Sequence, residues 1–124
     1  MYADYDFYKN EYGGELAEED AVKALNEASM HIDVLTYSRI CATGFENLTE
    51  HQKMVIKITC CRMADFEKHN ADVINSLLSS YSLNGASMSF TGKAANVSIV
   101  NGIVVQNTTY EYLKTSALCV RRMI

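Results

Sequence analysis

Three histidines are the first places where chemistry could reside. His31 stands alone in an early helical stretch, while His51 and His69 share a longer one. His69 lies four residues after Asp65 and three before Asp72, so the three side chains fall on one helix face. An imidazole between two carboxylates could hold a metal weakly, but a structural metal site takes a fourth ligand and tighter spacing. A solvated polar stripe accounts for the same residues. The cysteines, Cys41, Cys60, Cys61 and Cys119, form neither a C-x-x-C pair nor a regular framework. A cysteine nucleophile needs a nearby base, which Cys41 or Cys119 could acquire only through tertiary folding. Buried, reduced thiols are the expectation. No phosphate loop, dinucleotide fingerprint or nucleophile elbow occurs, and Gly13-Gly14 lacks a following Lys-Ser/Thr. No catalytic, metal-binding or cofactor-binding residue is therefore expected, and the chain reads as a non-enzyme.

The chain of 124 residues suits one domain and can bury its own core. Its 48% hydrophobic and 21% charged residues are ordinary for a folded protein. The net charge of −4 disfavours a free-standing nucleic-acid module, which usually shows a basic excess. That charge is uneven: residues 1–30 carry eight acids and two bases, and the remainder seven acids and nine bases. An acidic solvated helix face explains this, and so would a head-to-tail meeting of copies. No apolar stretch approaches the ~20 residues of a membrane span. Residues 1–12 hold acids and tyrosines where an export signal needs a basic start and an apolar run, so export is not expected. The three N-x-S/T matches, at Asn47, Asn96 and Asn107, are then chance.

These residues need elements to position them. Tyr2, Tyr5, Phe7, Tyr8 and Tyr12 form an aromatic lead that either docks elsewhere or packs on its own core. A first helix is expected from Ala17 to Leu35, with Ala21, Ala24, Leu25, Ala28, Ile32 and Leu35 on one face and Glu19, Lys23, Asn26 and Glu27 opposite. Residues 36–48 read as a connection. Thr49 with Gln52 makes a capping box behind a staple residue, Leu48, and opens a helical pattern to about Ser79. That helix has two apolar faces, one with Met54, Ile58 and Cys61, the other with Val55, Ile56, Thr59, Met63 and Phe66. Such a helix is buried on most sides or shared with a neighbouring subunit. The polar Lys68-His69-Asn70 predicts a bend or an outward extension near residues 68–72. Residues 79–93 are Ser- and Gly-rich and read as a loop or a strand ordered on binding. Asn101-Gly102 between β-branched runs predicts a hairpin over residues 97–105. A last helix starts near Asn107 or Thr108, with Tyr110, Leu113, Ala117 and Val120 on one stripe. The expected fold is mainly α: a small helical bundle of about three main helices with an inserted β-hairpin and extended loop (residues 79–106).

Four segments together resemble a known family. The opening Tyr2-Ala3-Asp4-Tyr5-Asp6-Phe7-Tyr8 with Tyr12-Gly13-Gly14, and Ile32 to Ile40 at the end of the first helix, are similar to bacteriophage and prophage head–tail connector (head completion, adaptor) proteins. The capped helix from Thr49, the Ser80–Phe90 segment and the closing Tyr112–Arg122 stretch extend the likeness over nearly the whole chain. The chain departs from the family at Ala117, often Gly there, and at Val120, often aromatic there. Ala117 would let the last helix run on. The resemblance implies a structural subunit that docks under the portal protein, extends the DNA channel and joins head to tail through a tail or stopper protein. It implies a homo-oligomeric ring, commonly of about twelve copies, closed by repeating one head-to-tail contact. DNA would pass non-specifically through it. The implied subunit and portal contacts are Tyr81, Leu83, Met88, Phe90, Tyr112, Cys119, Arg121 and Arg122. The implied location is the virion head–tail junction, reached from the bacterial host cytoplasm, with no membrane partner and no cofactor. Two other readings compete: a small helical DNA-associated regulatory protein, which predicts a basic stripe, and a metal-binding or catalytic domain centred on His69.

Overall fold

A computed structural model describes residues 2–84, 97–100, 102–116 and 118. The chain is mainly helical. Helix α1 spans Glu18–Leu35, α2 Arg39–Thr43, α3 Glu50–His69, α4 Ala71–Asn84 and α5 Asn107–Lys114. Strands β1 (Val97–Val100) and β2 (Ile103–Gln106) pair antiparallel, with Val100 opposite Ile103. A π-helical turn, Phe7–Tyr12, precedes α1, and a 3-10 turn, Phe45–Asn47, precedes α3.

The α1–α3 pair is the centre of the core. Glu18, Glu19 and Asp20 fill the first turn of α1, where the helix dipole favours negative charge. Ala21, Ala24, Leu25, Ala28, Ile32 and Leu35 are buried, and Ser29 joins them. The alanines let the α3 backbone approach closely, so that the Cys60 Sγ lies 3.4 Å from Ser29 Oγ and 3.5 Å from the Leu25 carbonyl. Each fully buried Leu or Ile along this seam contributes about 1.5–3 kcal/mol.

Helix α3 begins with the capping box foreseen from the sequence. The Gln52 N–H donates to Thr49 Oγ1, and the Thr49 N–H donates to Gln52 Oε1. Leu48 is buried just ahead of it. The helix ends at Asn70, whose side-chain amide and backbone N–H both donate to the Phe66 carbonyl. Asn70 lies outside regular helix at φ −123° and ψ 24°, and its side chain competes for the Phe66 carbonyl, so the pattern is interrupted there. The pattern then continues as α4 through Asn84, beyond Ser79. Residues 79–84 are therefore helix rather than loop. Neither Gly nor Pro interrupts the chain until Gly85, and serines alone are only modest helix breakers.

The aromatic lead packs on its own core. Tyr8 is fully buried, and Tyr2 stacks on Phe45 at 5.5 Å between ring centroids. Gly14 is obligatory there, because a Cβ would sit 2.0 Å from the Tyr8 ring. Residues 36–48 are more ordered than a plain connection, holding α2 and the 3-10 turn.

The hairpin forms as expected, with Gly102 at φ +84°, the left-handed conformation its turn needs. Val97, Val104 and Val105 are buried, and β2 packs on α4 and α5. Helix α5 stops at Lys114, well short of the expected run. The Thr115 and Ser116 hydroxyls donate to the Tyr112 and Leu113 carbonyls, and the backbone N–H groups of the same two residues tighten onto those carbonyls. Such side-chain bonds offer the backbone an alternative to helix. The stripe positions Ala117 and Val120 lie outside the described residues.

Candidate functional site

Helix α1 changes character along its outward face. Glu19, Lys23, Asn26 and Glu27 occupy that face in the first half and are exposed. In the second half the same face carries Met30, 60% exposed, and Val34, 42% exposed. Tyr37, 40% exposed, follows at the turn after the helix. Met54 on α3 is the other large apolar side chain left open among the described residues. A single exposed apolar residue is ordinary, but a run at helical spacing is the form an interaction face takes. Periodicity carried this signal, since Met30 and Val34 continue the Lys23–Glu27 face. Attention to the buried stripe alone misses it.

The turn after α1 is built under strain. Tyr37 and Ser38 both have left-handed backbone, at φ 54° and 59°. Such conformations cost non-glycine residues about 1–3 kcal/mol each. The Ser38 N–H donates to the Asp33 carbonyl and the Arg39 N–H to the Thr36 carbonyl, which hold the turn closed.

Every acid among residues 1–30 is exposed: Asp4, Asp6, Glu11, Glu15, Glu18, Glu19, Asp20 and Glu27. The acidic balance of this part of the chain is thus a property of its surface.

The titratable residues inside the fold mostly serve structure. The Tyr8 hydroxyl donates to Asp65 Oδ1 at 2.5 Å and accepts the Leu16 N–H at 3.0 Å. Burial, then the Asp65 contact, pushes the Tyr8 phenol up to about 12. Tyr12 is raised by burial and by the same carboxylate. The Tyr2 hydroxyl donates to Asp33, and burial with that contact raises it as well. Cys41 is exposed rather than buried, and its thiol donates to Asp33 Oδ1 at 3.5 Å. It lies on the short helix α2, which sequence reading treated as plain connection. Cys60 and Cys61 are buried free thiols. Burial raises both, Cys61 to about 12, which keeps them protonated and unreactive at neutral pH.

The histidines are dispersed. His51 is exposed at the start of α3. His69 turns its Nδ1 onto the Asp65 carbonyl oxygen at 2.8 Å. It lines an open polar cavity of about 490 Å³ with Arg62, Asp65, Gln106 and Thr108. Asp72 is exposed on α4, across the Asn70 break. Among the described residues no three His, Cys, Asp or Glu side chains gather in a metal-holding group. His31 pairs with Glu67 at 2.6 Å.

The positions implied by the connector resemblance are only partly placed. Tyr112 is half-buried on α5, its ring 4.8 Å beneath the Arg62 guanidinium, so it ties α5 to α3. Tyr81 and Leu83 lie on the α4 backbone, with their side chains outside the described residues. Met88, Phe90, Cys119, Arg121 and Arg122 lie wholly outside them. No helix among the described residues is long and apolar enough to cross a membrane. No family model, no curated protein and no solved structure matches this chain.

Proposed function

We propose that this chain is a structural subunit of a bacteriophage head–tail connector ring, docking beneath the portal and acting through protein contacts rather than catalysis. The observation that carries the reading is the open apolar run Met30–Val34–Tyr37 on a helix whose other face is already buried. In such a ring each subunit meets two neighbours and the portal, so apolar side chains left open on the isolated chain acquire cover on assembly. The acidic surface of residues 1–30 suits a wall past which DNA slides without sticking, since phosphate repels carboxylate. The sequence likeness in the aromatic lead and in Ile32–Ile40 supports the same role. The tail or stopper protein would meet the ring on the side away from the portal.

Cosedimentation with the portal ring of the same phage tests the reading. The chain is expected to pellet with the portal at a fixed stoichiometry. Its remaining in the supernatant under all salt conditions would sink the proposal. A monomer in dilute solution is compatible with it, because docking drives assembly.

A further inference from the structure

Glu67 lies in the last turn of α3, three residues before the Asn70 break that starts α4. Its side chain is 12% exposed. One carboxylate oxygen, Oε2, meets His31 Nδ1 of α1 at 2.6 Å. The other, Oε1, is buried with no hydrogen-bond partner. Among the described residues, His31 is thus the only group bonded to this carboxylate. The pair borders a cavity of about 250 Å³ whose other walls are Ile74 and Leu78 of α4 and Ile103 and Val104 of β2. The carboxylate just before the α3–α4 elbow is thus bonded to α1 through one imidazole, beside the Lys68–Asp20 pair.

We propose that the His31–Glu67 pair is a pH-sensitive latch that holds the α3–α4 elbow against α1 and releases α4 when His31 loses its charge. With His31 protonated, two opposite charges share a half-buried site and the elbow is clamped. With His31 neutral, a buried carboxylate is left without an opposite charge, and burying such a group is costly. Swinging α4 outward about Asn70, which lies outside regular helix at φ −123° and ψ 24°, opens the shared cavity to water and relieves this. Among the described residues no other cation pairs with Glu67. The surrounding charges on α1 are Asp20, Lys23 and Glu27, and on α3 Lys68, which is 3.5 Å from Asp20. From α4 the cavity is faced by Ala71, Ile74, Asn75 and Leu78, and from the hairpin by Gly102, Ile103 and Val104, none titratable. The hydrogen bond to Glu67 raises His31 above its ordinary range, against an opposing effect of burial. A raised histidine stabilises the fold fully below its unfolded value, and the contribution is lost as pH rises through the folded value. The clamp is therefore the acid-side state, and release is favoured as pH rises through the folded value of His31.

Hydrogen exchange of the backbone amides of residues 71–79, corrected for intrinsic rates, tests the latch at about pH 5.5 and about pH 8.5, either side of the ordinary histidine range. Protection is expected to fall severalfold at the higher pH in the wild type. The fall should persist in His69→Gln, whose histidine lies nearer the elbow in sequence. It should vanish in His31→Gln and in Glu67→Gln, the second variant keeping the test open should the first fold poorly. An unchanged pH response in both variants, or none in the wild type, would overturn the latch.

Discussion

Tyr8 joins three distant parts of the chain through one hydroxyl. It lies within the aromatic lead, donates to Asp65 on α3 and accepts from the Leu16 N–H just ahead of α1. Removing the oxygen leaves a half-buried donor and a half-buried carboxylate oxygen without this partner, so Tyr8→Phe is expected to destabilise the fold by about 1 kcal/mol at neutral pH. Chemical denaturation checks this. The same group sets an alkaline limit. A phenol raised on folding contributes stability below its ordinary value of about 10, and loses it as pH rises through the folded value. Part of the stability lost between that ordinary range and about 12 should be absent in Tyr8→Phe, with Tyr2, Tyr12 and the buried thiols Cys60 and Cys61 contributing to the rest. The aromatic lead was legible as something that must be covered, because five aromatics in twelve residues are costly to hydrate. Its partner Asp65, 57 residues away, was not, since spacing carries no information about tertiary contacts. Gly14 reads as a simple chain break, but its cause is the Tyr8 ring lying across it. Cys41 fails the buried-thiol expectation for a similar reason: α2 turns it outward, and α2 left no periodic signal.

At the scale of elements, local rules held wherever short-range chemistry decides the outcome. The capping box at Thr49, the burial of Leu48, the interruption at Asn70 and the hairpin position are all written within a few residues. Thr49→Ala should cost about 1 kcal/mol, because the Gln52 N–H loses its Thr49 Oγ1 acceptor, while the reciprocal bond from the Thr49 backbone N–H to Gln52 Oε1 can still form. Thermal melting against wild type checks it, with the α3 helical signal fraying first at its N-terminus. The two element errors share a physical cause. Serines and threonines near a helix end can either continue the helix or bond back to it. In α4 the helix continues through Ser79, while in α5 the Thr115 and Ser116 hydroxyls bond back and end it. Composition is alike in the two cases, so it does not tell the two outcomes apart.

At the scale of the whole molecule, two features remain after folding has used the rest. One is the exposed acidity of residues 1–30, and the other is the apolar run Met30–Val34–Tyr37. The excess of apolar helix surface was legible, but its expected site was α3. The structure moves most of it to α1: α3 is covered by α1, α5 and the aromatic lead, and leaves chiefly Met54 open. Helix periodicity gives faces but not which neighbour covers them. The central claim is that the α1 run exists for assembly and not for folding. Val34→Glu separates the two, because Val34 is 42% exposed in the isolated chain. Exposed substitutions usually change stability by no more than about 0.5 kcal/mol, whereas a charge buried at an interface centre is costly. The direct measurement is the portal-binding isotherm of Val34→Glu beside its thermal melt. The account predicts binding weakened by about tenfold or more with Tm nearly unchanged; wild-type binding by the folded variant would contradict it.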